Sequence, residues 1–148
     1  MERERIELNF PSRMWYVPPA LAFVKQLSQQ LGFCKRRIED IQLTIDEICS
    51  NAIEHGSETA ASGIDFIIIV DVNQLEILVR DRGAKQKAYL TAERLDEIHR
   101  ERVSGQEGGH GIYIAQNLSD QLEIQPNSFG GTDVRVVFHL GTNLTPSG

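Results

Sequence analysis

Three polar residues follow one another at intervals of four within a stretch of helical apolar pattern. They are Glu47, Asn51 and His55. This spacing places side chains on one face of an α-helix, one turn apart. A carboxylate can orient or deprotonate an attacking hydroxyl group, and a carboxamide oxygen can bind a magnesium ion. Glu47 and Asn51 together indicate phosphate chemistry, whereas His55 is expected only to cap the end of the helix.

Three glycine-containing segments downstream carry features of a nucleotide site. They are Asp81-Arg82-Gly83 after a predicted strand, Gly109-His110-Gly111 before a predicted helix, and Gly131-Thr132 before the last strand. Glycines before a helix let the backbone approach a ligand, and the free amides and the helix dipole favour a phosphate there. The Asp81 carboxylate could accept a hydrogen bond from an exocyclic amine such as that of adenine. Taken singly, Asp81-Arg82-Gly83 and Gly131-Thr132 are also compatible with ordinary turns.

The apolar pattern predicts the elements that must position these residues. A stripe at steps of three and four predicts a helix from about 35 to 55; its members are Ile38, Ile41, Ile45, Ile48 and Ala52. An earlier helix follows Pro18-Pro19 and ends at Gly32. Strands are predicted at 6–10, 64–72, 75–80, 122–124 and 134–140, and a last helix at about 112–120. This order predicts an α+β, two-layer sandwich, with a mixed, mostly antiparallel sheet and helices on one face.

The composition is that of an ordinary globular domain. Of the 148 residues, 41% are hydrophobic and 24% are charged, with a formal net charge of −6. The acidic balance argues against a general nucleic-acid binder, and no apolar run approaches membrane-spanning length. Cys34 and Cys49 are expected to be reduced and packed as small hydrophobes. We therefore expect one soluble, cytoplasmic domain over residues 1–148, with no direct nucleic-acid partner and no membrane.

In this order and spacing, the polar segments resemble the motifs of the GHKL ATPases, the superfamily of gyrase, the heat-shock chaperone, histidine kinases and mismatch-repair ATPases. Residues 47–56 resemble the N box, 81–83 the G1 box, 109–111 the G2 box and 131–132 the closing Gly-Thr. Each motif alone is weak, but their ordered combination is specific. The resemblance extends from the first strand to Leu140. It implies the Bergerat-type ATP-binding fold, with an ATP lid at about 84–109.

The compact chain is most similar to the anti-sigma-factor serine/threonine-protein kinases of bacterial partner-switching systems. That resemblance implies ATP and Mg²⁺ as cofactors, with Asn51 as the magnesium ligand. It implies Glu47 as the catalytic base for transfer to a serine or threonine of a STAS-type anti-sigma antagonist. The nucleotide would be bound by Asn51, Asp81, Gly83, Gly109, His110, Gly111 and Thr132. The resemblance further implies a homodimer that binds a sigma factor when the antagonist is not engaged.

One position departs from the motif of many GHKL proteins. They have a second glycine two residues after the first in the G1 box, where this chain has Lys85. Lys85 favours an alternative function: a nucleotide-responsive partner-binding module that retains ATP or ADP but transfers nothing. Glu47 favours the kinase, because a module that only binds needs no base.

Overall fold

The structure is a computed structural model that describes residues 2–83 and 110–141, with only the backbone of His110 and Gly111. The lid that the sequence predicts at 84–109 lies outside the described residues. Lys85 and Gly109 lie outside them for the same reason, as does the tail at 142–148.

The described elements follow the predicted order. They are β1 Glu4–Phe10, α1 Val17–Leu31, α2 Lys35–His55, β2 Ile64–Val70, β3 Gln74–Asp81, α3 His110–Leu118, β4 Gln121–Pro126 and β5 Thr132–His139. Short 3-10 turns occur at Met14–Tyr16 and Ala60–Ser62. Helix α3 begins two residues before the predicted start, and β3 reaches Asp81, one residue beyond the predicted end. Among the described helices, none has the length and apolarity to cross a bilayer.

The five strands form one sheet in the order β1-β2-β3-β5-β4. Each of the four pairings between the described strands is antiparallel. The β2–β3 hairpin is closed by the Asp71 N–H, which donates to the Gln74 carbonyl at 3.0 Å. A parallel contact occurs as an isolated bridge between Ser57 and Gly83. The predicted α+β, mostly antiparallel sheet is therefore confirmed.

Helix α2 lies at the centre of the layer that covers one face of the sheet. It packs against α1 and against α3. Its predicted apolar stripe is buried, with Ile41 and Ile45 both 0% exposed. The same core contains alternate strand residues, which point to the helices because side chains alternate between the faces of a strand; they include Phe66, Ile68, Ile77, Val79, Val136 and Phe138.

The two cysteines have different environments. Cys49 is fully buried in the α2 stripe, as predicted, and burial raises the pKa of its thiol. The packing prediction is wrong for Cys34, which is exposed. Cys34 is the N-cap residue of α2, so it precedes the first turn and its side chain does not continue the buried stripe.

The burial of α2 predicts a contrast between two neighbouring positions. Ile45→Ala should lower the free energy of unfolding by about 2–5 kcal/mol, because it leaves a cavity in the core. Leu43 is 45% exposed, so Leu43→Ala should cost less than about 1 kcal/mol. Urea denaturation of both variants measures the difference. Equal losses would contradict the orientation of α2.

Candidate functional site

Asp81 ends β3 with its side chain on the helix-covered face of the sheet. It is 1% exposed. Its Oδ1 accepts hydrogen bonds from the Gly83 N–H and the Thr132 N–H, each at 3.0 Å. The two donors belong to different turns, one after β3 and one at the start of β5. The carboxylate therefore joins the two segments that the sequence predicted to be the G1 box and the closing Gly-Thr.

Burial of the Asp81 carboxyl raises its pKa from 3.8 to about 6. The amide hydrogen bonds from Thr132 and Gly83 oppose this effect, and the nearby charge of Asp133 adds to it. The side chain is therefore mostly ionised at neutral pH, but its charge is poorly solvated. A buried carboxylate of this kind gains from a ligand that donates a hydrogen bond to it.

Gly56 leaves room for this carboxylate at the end of α2. Its φ is −101°, so a left-handed backbone conformation is not the reason for glycine here. A Cβ at Gly56 would overlap Oδ2 of Asp81. The bridge between Ser57 and Gly83 lies next to this contact. The end of the predicted N-box helix is thus packed directly against the predicted G1 turn.

The G1 turn and the β4–β5 turn are in backbone contact. Gly83 has a φ of +82°, and a Cβ there would overlap the Gly130 carbonyl. A Cβ at Gly131 would overlap the Asp81 carbonyl and lie 2.5 Å from the Gly83 nitrogen. Glycine is required at both positions, because any side chain would push the two turns apart.

Thr132 lies beside Asp81 with its side chain fully buried. Among the described residues, none offers a hydrogen bond to its Oγ1. A buried polar group without a partner costs about 1–3 kcal/mol. The hydroxyl and the Asp81 carboxylate together fit a ligand edge that carries both a donor and an acceptor, as the Watson–Crick edge of adenine does.

Asn127 organises the β4–β5 turn and was missed by the sequence analysis. Its Nδ2 donates to the Asp81 carbonyl at 2.8 Å and to Asp133 Oδ1 at 2.9 Å. Its Oδ1 accepts from the Phe129 and Gly131 amides, each at 3.0 Å. In the sequence, the Pro126-Asn127 pair precedes two glycines. This pattern indicates a turn, but it does not indicate that Asn127 contacts Asp81.

Glu47 and Asn51 lie one turn apart on α2, and both are half-buried. His55, in the last turn, is exposed. Because a helix rises about 1.5 Å per residue, Glu47 lies about 14 Å along α2 from Gly56, which touches Asp81. An adenine at Asp81 and a terminal phosphate near Glu47 would be separated by about the length of one extended nucleoside triphosphate.

Helix α3 lies beside α2 and runs in the opposite direction. The Arg37 guanidinium, near the start of α2, donates to the Leu118 carbonyl at the end of α3 and to Asp120 at 2.7 Å. The two helices also pack against each other. Because of the helical rise, the start of α3 at His110 lies roughly level with the half of α2 that carries Glu47.

The predicted site residues thus fall into two groups. Asp81, Gly83 and Thr132 meet at the contact of the two turns. Glu47, Asn51 and the backbone of His110 and Gly111 belong to the paired helices α2 and α3. Gly109 lies outside the described residues. A buried acceptor, a helix N-terminus, a carboxylate and an amide are the parts that an ATP-binding domain needs.

The sequence profile of the histidine kinase-like ATPase domain matches residues 10–138 of the chain. Because this match spans most of the sequence, the chain belongs to the histidine kinase-like ATPase domain family. The resemblance to the GHKL ATPases is therefore confirmed.

The curated relatives of the chain include serine-protein kinases named RsbW from several bacteria. The protein of Bacillus pumilus is 31% identical over 137 residues, which cover 83% of this chain and 79% of the relative. The protein of Bacillus velezensis is 27% identical over 135 residues, covering 83% and 79% of the two chains. The protein of Halalkalibacterium halodurans is 28% identical over 128 residues, covering 84% and 78%. These names agree with the predicted class of serine/threonine-protein kinase.

A solved structure gives separate support for the fold. It is the crystal structure of the RsbU and RsbW domains of a Mycobacterium tuberculosis protein, with a TM-score of 0.67 and 19% sequence identity. The similarity covers 93% of this chain and 32% of the solved chain. At this identity the similarity shows the fold alone, and it confirms the predicted α+β class.

The raised pKa of Asp81 predicts a pH-dependent effect of Asp81→Asn on stability. The folded-state pKa of about 6 lies above the ordinary value of 3.8. Protonated Asp81 therefore contributes its whole stabilising effect below pH 3.8, and this effect is lost as the pH rises through about 6. Relative to Asp81→Asn, the unmodified protein should lose about 2–3 kcal/mol of unfolding free energy between about pH 4 and pH 7.

Urea denaturation of both proteins across this pH range measures that difference. The amide keeps an oxygen for the Gly83 and Thr132 amides, so the variant should fold. A stability difference that does not change with pH would contradict a raised pKa for Asp81.

Proposed function

We propose that this protein is an ATP-dependent serine/threonine-protein kinase and an anti-sigma factor. It phosphorylates a STAS-type anti-sigma antagonist with Mg-ATP and sequesters a sigma factor when that antagonist is absent or already phosphorylated. The observation that carries the proposal is the buried pair of Asp81 and Thr132 at the end of the helix that bears Glu47 and Asn51. Membership in the histidine kinase-like ATPase family and the serine-protein kinase relatives support the same function.

The base of ATP is assigned to the contact of the two turns. Both amide donors to Asp81 bond to Oδ1, so Oδ2 is the oxygen left to accept from the exocyclic amine of adenine. The Thr132 hydroxyl, buried beside it, can bond to the neighbouring ring nitrogen. Gly83 contributes to this site through its backbone amide, which donates to Asp81 Oδ1 and leaves Oδ2 for the base.

The phosphates are assigned to the other end of the site, between α2 and the start of α3. Gly109, His110 and Gly111 would present backbone amides to them, since the first amides of a helix have no partner within it. The Asn51 side-chain oxygen fits Mg²⁺, which prefers oxygen ligands in proteins. When bound, the ion supplies charge neutralisation for the triphosphate. Residues 84–109 are assigned to the lid.

Glu47 is assigned the role of catalytic base. It is half-buried and lies one turn before Asn51, on the same face of α2. Its carboxylate would take the proton of the substrate hydroxyl while the hydroxyl oxygen bonds to the γ-phosphorus and the bond to the ADP oxygen breaks. The length of α2 between Glu47 and Gly56 supports this role, because the triphosphate of a nucleotide whose base lies at Asp81 would extend towards Glu47.

We base the proposed partners on the similarity to the serine-protein kinase relatives, and not on a surface of the described residues. We propose a homodimer that exchanges the antagonist for a sigma factor, in the cytoplasm, where ATP is available. We propose no direct contact with nucleic acid, in agreement with the net charge of −6.

A second candidate is the nucleotide-responsive module that binds ATP or ADP without transfer. Lys85, in place of a motif glycine, favours it. Both candidates use the same Asp81 site, so nucleotide binding alone does not separate them.

Phosphoryl transfer separates the two candidates. The protein is incubated with radiolabelled ATP, Mg²⁺ and its STAS-type antagonist, alongside Glu47→Gln. We expect Glu47→Gln to lower transfer by about 100-fold or more, because general bases contribute that much to rate. ATP affinity should change by less than about threefold, because Glu47 acts on the hydroxyl and not on the base of ATP.

Glu54→Gln is the matched control, since Glu54 is an exposed glutamate on the same helix. It should transfer phosphate at the normal rate. Tight ATP binding with no transfer by the unmodified protein would support the binding module. Equal rates for Glu47→Gln and the unmodified protein would exclude Glu47 as the base.

A further inference from the structure

Arg82 lies between Asp81 and Gly83 but points to the opposite face of the sheet. Its Nη2 donates to Asp65 Oδ2 at 2.8 Å. Asp65 belongs to β2, is 7% exposed, and accepts a second hydrogen bond from the Asn9 side chain at 2.7 Å. These hydrogen bonds therefore connect the G1 turn, residues 81–83, to the strands β2 and β1 on the face of the sheet opposite to Asp81.

Arg82 also contacts the β4–β5 turn. Its guanidinium carbon lies 4.3 Å from the centre of the Phe129 ring, a cation–π distance. Phe129 is 52% exposed, although a large aromatic side chain gains from burial. The ring contact therefore connects the turn that carries Gly130 and Gly131 with the turn that carries Gly83.

The contact between the two turns fixes the donors to the Asp81 carboxylate. One donor is the Gly83 amide of the first turn, and the other is the Thr132 amide at the end of the second turn. If the turns separate, at least one donor leaves Oδ1 and the carboxylate can rotate. A glycine-rich contact resists such movement poorly, because glycine has the most backbone freedom.

We propose that Arg82, through its contacts with Asp65 and Phe129, is a positioning residue for nucleotide recognition. It holds the two turns together from the face of the sheet that the nucleotide does not occupy, and it thereby keeps Asp81 directed at the base. This inference rests on the proposed nucleotide site at Asp81. It adds a residue whose side chain lies behind that site.

The test measures the ATP dissociation constant by calorimetry, and KM and kcat for phosphoryl transfer to the antagonist, in the full chain. Arg82→Ala should raise the dissociation constant and KM for ATP by about 5- to 20-fold, because it loses both an ion pair and a cation–π contact. kcat at saturating ATP should stay within about twofold, since Glu47 and Asn51 are untouched. Arg82→Lys, which keeps the charge for Asp65, should recover part of the affinity.

Phe129→Leu tests the ring contact separately. It should weaken ATP binding in the unmodified protein but have little further effect in Arg82→Ala, because the two residues act through one contact. Arg135→Ala is the matched control, since Arg135 pairs with Glu76 and Glu123 on the same face of the sheet, away from the two turns. Its ATP affinity should be unchanged.

Two results overturn the inference in distinguishable ways. If Asp81→Asn abolishes ATP binding while Arg82→Ala binds ATP as tightly as Arg135→Ala, the positioning role is wrong and the nucleotide site stands. If Asp81→Asn binds ATP with unchanged affinity, the proposed site is wrong, and the inference fails with it.

Discussion

The structure depends on one buried carboxylate that two separate turns hold by their backbone amides. Asp81 lies where the end of β3, the start of β5 and the end of α2 meet. Burying a charge is unfavourable unless hydrogen bonds compensate for it, so the surrounding backbone must be placed accurately. Glycines at 56, 83 and 131 follow from that requirement, because a Cβ at any of them would overlap the carboxylate or the backbone that supports it. The stability of the two turns and the strength of the proposed base-binding site therefore have the same origin.

The two faces of the sheet have different roles: one packs against the helices, and the other carries polar contacts between the strands. Apart from Asp81 and Thr132, the buried side chains on the helix-covered face of the described strands are apolar, and they pack against Ile41, Ile45 and Ile48 of α2. The opposite face carries ion pairs between neighbouring strands. Arg80 binds Asp133 through two hydrogen bonds, at 3.0 and 3.1 Å, and Asn127 also donates to Asp133. Polar contacts on this face thus connect β3, β5 and the β4–β5 turn, and they support the site from behind.

The helices α2 and α3 carry the groups that we propose for phosphate binding and catalysis. A rigid helix suits this role, because its rise sets the separation between the end that touches Asp81 and the turn that carries Glu47. The antiparallel packing of α3 brings a helix N-terminus to the same level. Base recognition and phosphate chemistry are therefore assigned to different contacts but linked through one helix.

The sequence by itself determined the features that depend on local periodicity and turn chemistry. The stripe from Ile38 to Ala52 specifies α2, the spacing of Glu47 and Asn51 places them on one helical face, and the ordered glycine motifs indicate the family. Only the tertiary structure decided which residues from distant segments meet. Gly56 makes room for Asp81 at the end of α2. This role, the hydrogen bonds of Asn127 and the contact of Arg82 with Phe129 were not foreseen. The physical reason is that local pattern constrains neighbours along the chain, whereas these contacts depend on strand order, register and the close approach of two turns.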